Sequence, residues 1–523
     1  MIAIQAGQAG DPALSIVHAA VVRSVGPGLV KLGPHPVAHT HIWISPSAAQ
    51  APLISAVMER GDKLIVLGAV PPEVAPILGL ETSGALPEGW ARAADCAPAA
   101  IGCDSVSAGR ITWNDAPLGQ PAPLRSYPFK RFDFADEWNN LGYGALRSDG
   151  SMWAIACAVK PGDAEVLAEA SSNELASLPF VSLYAPESSG AALWWNRAVG
   201  PVDHPDWAIL EKFVADWGFD CGRPCTPVLS ELPYGVQAAV TMRLDCDEDV
   251  ASARALYNLY SSKGRPLSLA IMTGQPERAA NVALMHDVAA AGGSVVPHSA
   301  THPPRWGGSY EACLTELTIS REWITERLGT PAADYVVSPF HHAPAFLAPA
   351  LAAAGMRGFV GGIISADPEA MVARAGRVIG PAGLEASIVT HSQQCMLHGD
   401  CMRRNGGDPL AVTKAAFDTA RAAGRIFGYL DHPISERYNY GWDKIDAQTA
   451  VHADLMTYID SVAPAALWLN LSETLEWVHA RAQITIRPKG TDYALDEPLQ
   501  PALAHTPALR FQGRIQPLKE VAQ

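Results

Sequence analysis

The chain has 523 residues, too many for one hydrophobic core, which predicts two or three domains. Hydrophobic residues make up 48% and charged residues 17%, a globular balance that excludes a disordered chain. The formal net charge of −15 excludes an electrostatic footprint for DNA, RNA or an anionic membrane surface, and leaves a neutral or cationic small molecule or glycan as the easier partner.

Residues 1–22 are mildly apolar, carry no Lys or Arg before Arg23, and are broken by Gly, Asp and Pro, a poor match to a signal peptide. No window approaches 18 consecutive apolar residues, so no membrane span is expected. Nine cysteines, an odd number spread along the chain, fit free thiols better than a disulfide framework and predict a cytoplasmic protein. Residues 42–45 read as a short apolar strand, 48–60 as a helix, and 62–68 as a buried strand stopped by Gly68, together one βαβ unit of an α/β layer. Residues 105–160 turn aromatic and alternating, at 110–113, 130–134 and 152–156, which predicts a β-rich elaboration. A strand at 192–195 leads to an amphipathic helix at 206–217, and the Cys-, Pro- and Gly-rich run 221–233 reads as a linker.

From Gly235 the pattern alternates strictly. Strands are expected at 236–245, 266–272, 294–297, 335–338, 358–363, 387–390, 426–430 and 466–469, separated by helices such as 249–262, 276–291, 309–328 and 344–354. Such a β/α ladder suggests a barrel of parallel strands, whose reactive residues sit at the strands' C-terminal ends. The expected division is therefore an α/β domain over 1–230, a barrel over 235–480 and a short β-rich tail over 481–523.

Three short pieces at predicted strand ends carry the chemistry. In the first, Asp245 and Asp247 stand two apart at the mouth of a β-branched strand, with Arg243 on the same face. Two carboxylates so placed repel unless a cation or an Arg sits between them. Read alone, the acidic run through Glu248 and Asp249 also fits a solvated helix N-terminus. In the second, His298 and His302 are four apart, so one helical turn would present both imidazoles to a metal together with a carboxylate. Two capping histidines would have the same spacing. The third is Leu430-Asp431-His432, a hydrophobic strand ending in a histidine that is either a core residue or faces the metal from across the mouth.

The order of these pieces resembles the NodB-type polysaccharide deacetylases over roughly residues 236–480. The resemblance implies that Asp247, His298 and His302 hold Zn²⁺ or another divalent transition metal, that Asp245 is the general base and that His432 is the general acid. It also implies a backbone N–H near Phe340 for the oxyanion, and a carbohydrate or acetylated small-molecule substrate. The fold it implies is α/β, a distorted (β/α) barrel of the polysaccharide deacetylase type. The chain departs from the family twice. Val337-Ser338-Pro339-Phe340 has Val where the family's third motif has Arg, and Arg243 is the available replacement. The Asp and Trp that position the acid His are not recognisable, leaving Asp367 and Asp431 as candidates.

Residues 390–407 gather His391, His398, Cys395, Cys401, Arg403 and Arg404, either a second metal site, a substrate clamp or an ordinary polar loop. More loosely, 193–203 with the 206–217 helix resembles glutamine-amidotransferase-like α/β domains. No cysteine there has credible His and Glu partners, which implies a non-catalytic role such as presenting substrate. Hydrolysis of an N-acetyl or O-acetyl group is the expected activity. A non-sugar amide as substrate, or a glycan-binding protein with a decayed site, are the alternatives, and the oligomeric state is open.

Overall fold

The computed structural model describes residues 1–90, 109–119, 122–128, 152, 154–172, 175–202, 204–276, 278–329, 333–361, 375–378, 388–391, 395–399, 408–489, 492–495 and 504–518. The expected strand at 130–134, and Cys96, Cys103, Asp367, Cys401, Arg403 and Arg404, lie outside them.

The N-terminal region is built on a sheet whose strands run Val30–Leu32, Ile2–Ala6, Thr40–Ile44, Lys63–Leu67, Ala191–Trp195, Leu178–Tyr184, Glu165–Ser171, Arg110–Trp113, Ser126–Pro128. The first five strands are parallel and the rest antiparallel. Thr40–Ile44 and Lys63–Leu67 are buried along their whole length, which explains their unbroken apolar runs. The expected strand at 152–156 is not formed by its described residues. The amides of Ala156 and Cys157 donate instead to the Asn196 side-chain oxygen, so they are withdrawn from any ladder. The first residues, read only for targeting, form a strand and the helix Pro12–Val25, which Asp11 caps through the Ala13 amide.

In the C-terminal region Ala239–Cys246 is the organising strand, buried throughout. Ile426–Asp431 pairs along one edge, while Leu467–Leu469 and then Ser268–Ile271 pair along the other, all parallel. Ser294–Pro297 and Cys395–Met396 extend this sheet. A second sheet runs Tyr335–Val337, Gly358–Val360, Val389–Thr390, Gly376–Arg377. The described strands thus form two open sheets, and the closed ring expected of a barrel is not seen among them. The sheets meet where His391 Nε2 lies 3.2 Å from the Ile426 carbonyl oxygen. Helices Arg254–Ser262, Ala279–Ala290, Tyr310–Leu328 and Leu347–Ala353 fall inside the expected stretches. Among the described residues no helix is long and apolar enough to cross a membrane, and Cys157, Cys221, Cys225, Cys246, Cys313 and Cys395 are free thiols.

A buried ion network joins the two regions. The Arg425 guanidinium, one residue before the Ile426–Asp431 strand, donates to Glu211 at 2.9 Å and to Glu231 at 3.2 Å. Glu231 also accepts the Ile426 amide, and Arg481 donates to the carbonyls of Leu229 and Ser230. The tail, expected as an appendage, is built into the N-terminal core. Ala508–Phe511 pairs with Val228–Leu229, and Ile484, Ile486, Leu495 and Leu509 pack with Ile2, Val21 and Leu29. Gly26, at φ +79°, permits this approach, because a Cβ there would stand 2.9 Å from the Ile484 carbonyl oxygen.

Candidate metal centre and active site

The Ala239–Cys246 strand delivers Arg243 and Asp245 to one face, two residues apart and both buried. Arg243 grips Asp245 with two donors, Nε to Oδ1 at 2.8 Å and Nη2 to Oδ2 at 3.3 Å. Burial alone would raise the Asp245 pKa. Arg243 foremost, then His298 and His432, outweigh it and hold this carboxyl well below the usual carboxylate range. Asp247, just past the strand end, turns toward the histidines. Its Oδ1 lies 3.4 Å from His298 Nε2 and 3.8 Å from His302 Nε2, and its Oδ2 lies 3.6 Å from His432 Nε2.

The two histidines are not brought together by a helical turn, as their spacing suggested. Residues 298–302 are irregular, with Ser299 at φ +65° and His302 at φ +55°. The Ser299 hydroxyl accepts the His302 amide, and the Glu316 carboxylate accepts the amides of Ala300 and Thr301. This tight turn sets His302 Nε2 3.1 Å from His298 Nε2. His298 Nδ1 lies 3.0 Å from the Val337 carbonyl oxygen, so Nδ1 carries the proton and Nε2 offers its lone pair. Val337 therefore contributes a backbone acceptor at the place where the family motif has Arg. Burial, with His298 next, lowers the His302 pKa to about 4, so this imidazole is neutral at ordinary pH.

Asp247, His298 and His302 are the one group of three or more such side chains among the described residues whose ligand atoms all lie within 4.8 Å of one another. Asp247 Oδ1 is buried without a hydrogen-bond partner. An orphaned carboxylate oxygen facing two imidazole nitrogens is the donor set a divalent transition metal takes.

His432 closes the opposite side, stacked on Tyr440 with ring centroids 4.3 Å apart and planes 15° apart. Asp431, a candidate for orienting His432, does not touch its ring. Its oxygens accept the His432 amide, the Trp442 indole, Gln448 and His452 instead, which pins the backbone that follows the strand. Phe340 is half exposed, at φ +51°, with its ring centroid 4.5 Å from that of His302.

Two neighbours, Tyr440 and His341, escaped the sequence reading, and a third, His398, was read only as part of the 390–407 cluster. His398, from the 390–407 region, stands edge-on to His432 at 5.8 Å and 90°. Tyr440 belongs to the turn after His432. His341, at φ +56°, lies in the field of Arg243, Asp245, His298 and His432, and burial pushes its pKa well below the ordinary imidazole value. The run of two histidines after Pro339-Phe340 was the available signal for His341. Cys395 is buried against Thr413 and His391 against Ile426, so the described residues of this region form no second metal cluster.

No protein-family model matches the chain, and no curated protein matches it in sequence. Solved structures similar to it include the chitin deacetylase of the fungal pathogen Colletotrichum lindemuthianum, at 12% identity and TM-score 0.32 over 47% of this chain and 90% of that one. A family 4 acetyl xylan esterase from Clostridium thermocellum, in complex with a cobalt ion, matches at 12% identity and TM-score 0.29 over 46% and 90%. A CE4 family pseudoenzyme from Bacillus anthracis matches at 11% identity and TM-score 0.31 over 47% and 68%.

Proposed function

We propose that this chain is a metal-dependent deacetylase that hydrolyses an N-acetyl or O-acetyl group on a sugar or polysaccharide precursor, with residues 235–480 as the catalytic unit and 1–230 presenting substrate. The observation that carries the reading is the juxtaposition of two differently held carboxylates. Asp247 is orphaned among imidazoles, while Asp245 is clamped by Arg243.

Asp247, His298 and His302 would hold the metal, which supplies Lewis-acid polarisation of the acyl carbonyl and a more acidic water. Asp245 takes the proton from the attacking water. Its aim comes from Arg243, which occupies both carboxylate oxygens from one side and keeps the group from swinging onto the metal ligands. The depressed pKa keeps Asp245 ionised, and it also makes Asp245 a weaker proton acceptor than a base titrating near the working pH. His432, across the site, delivers a proton to the departing amine or alcohol from Nε2, the nitrogen that faces Asp247. Phe340 offers its backbone N–H to the oxyanion and its exposed ring to the substrate.

The test is metal analysis of the purified chain together with acetate release from a panel of acetylated amino sugars, acetylated xylo-oligosaccharides and linear and cyclic amides. About one divalent ion per chain with acetate released from the sugars supports the reading. Metal without turnover on any member, or turnover undiminished after chelation, overturns it.

A further inference from the structure

We propose that Tyr440 is a positioning residue for the His432 imidazole, holding the ring plane by stacking where, among the described residues, no carboxylate reaches its Nδ1. The inference rests on the deacetylase reading, in which His432 Nε2 must point at the leaving group.

A proton-donating histidine is ordinarily fixed by a hydrogen bond to its second nitrogen. Here that nitrogen, His432 Nδ1, is buried and has no hydrogen-bond partner among the described residues. The adjacent carboxylate is fully engaged elsewhere, since Asp431 accepts from Trp442, Gln448, His452 and the His432 backbone. Ring packing constrains the plane instead. Tyr440 lies nearly parallel to it at 4.3 Å, and His398 closes the corner, edge-on to His432 at 5.8 Å and to Tyr440 at 5.6 Å. Tyr438 packs edge-on against Tyr440 at 4.7 Å. Stacked and edge-to-face rings of this kind resist rotation about χ2 without making a polar bond.

The box is built into the backbone. Tyr440 sits at φ +51°, a conformation a bulky residue adopts only when its surroundings impose it. The Trp442 amide donates to the Asn439 carbonyl and the Gly441 amide to the Asn439 side chain, which closes that turn. On the facing segment Gly399 follows His398, and any side chain there would collide with the backbone of Gly441 and Trp442. The two segments carrying His398 and Tyr440 can therefore approach closely enough to enclose the imidazole. Because the constraint is the ring and not the hydroxyl, phenylalanine should replace tyrosine and an aliphatic side chain should not.

The experiment combines kinetics with histidine ¹³C–¹H spectra of the metal-loaded full chain, the His432 signal being assigned by its loss in His432→Gln. In the wild-type chain the His432 ring protons should lie upfield, shielded by the stacked Tyr440 ring. Tyr440→Phe should keep that shielding and stay within about threefold of wild-type kcat. Tyr440→Leu should lose the shielding and roughly tenfold or more of kcat, with KM and metal content unchanged, as misaimed proton donors do. Unshielded His432 protons in the wild-type chain, wild-type kcat in Tyr440→Leu, or equal loss in both variants would overturn the proposal. If the wild-type chain releases no acetate, the deacetylase reading falls alone, and the shielding measurement still decides the clamp.

Discussion

Asp245 and Asp247 are the same residue type two positions apart, yet their surroundings differ, and under the proposed function so does their work. Asp247 has an orphaned oxygen among imidazoles, and Asp245 has both oxygens against a guanidinium. Asp247→Ala and His298→Ala should therefore strip the metal, read by elemental analysis. Asp245→Asn should retain it while losing roughly 10²–10⁴-fold of turnover, the usual contribution of a general base. The reverse pattern would exchange the two roles. Arg243→Met tests the clamp on Asp245. Removing the cation leaves burial unopposed, so the Asp245 pKa rises and the base is protonated at a higher pH than before. The acidic limb of the pH–rate profile should then move to higher pH and turnover should fall about tenfold, with metal content unchanged. An unmoved limb would show that Arg243 does not set the protonation of the base. The convergence of Asp245, Asp247, His298, His302 and His432 was legible because each sits at a strand end or one short turn beyond it, where local pattern fixes direction. Arg243 could be named as the replacement for the missing Arg because period-two alternation put it on Asp245's face.

Elements supply what the motifs cannot. The His298–His302 turn has two residues at positive φ and is held from outside by Glu316, on the Tyr310–Leu328 helix. Glu316→Ala should leave every ligand in place and still weaken metal binding, by the roughly 10- to 100-fold typical of losing an outer support, as measured by competition with a chelator. Binding at wild-type strength would show that the turn holds itself. The spacing of four suggested a helix because periodicity records separation along the chain and not the torsions between. Tyr440 and His341, and the approach of His398 to His432, were illegible for a related reason. They reach the site through loops, and nothing in local pattern says which distant loops will meet. The distorted barrel was read from the β/α alternation, which fixes neighbours and direction, and among the described strands the hydrogen bonding is not seen to run all the way round.

At the scale of the whole molecule the N- and C-terminal regions are tied by charge as well as by apolar packing. Arg425 holds Glu211 of the N-terminal region and Glu231 of the connecting segment, all three buried. Arg425→Met leaves two carboxylates buried without their cation, which should cost about 3–5 kcal/mol in denaturant unfolding. Adding Glu211→Gln and Glu231→Gln should recover much of it. A single variant as stable as wild type would mean that water reaches the pair. The N-terminal α/β layer was readable from the strands at 42–45, 62–68 and 192–195, whereas the tail's place in that layer's core was not. Short alternating runs announce a hairpin but do not say which core it completes.

The pairing of Ala239–Cys246 also sets a timetable. This strand, which carries Arg243 and Asp245, is flanked by Ile426–Asp431 and Leu467–Leu469, and Val228–Leu229 waits for Ala508–Phe511. Ser268–Ile271 can pair early with residues 243–246, but the opposite edge and residues 239–241 stay unpaired until chain far downstream has arrived, and loop-closure entropy must be met before those contacts return anything. A nascent or unfolding chain therefore exposes an apolar strand with open edges, the situation that invites aggregation. Stopped-flow refolding should be slow, on the order of seconds or longer, with yield falling as protein concentration rises. Recovery in milliseconds, independent of concentration, would show that early pairing with Ser268–Ile271 is enough to protect the strand.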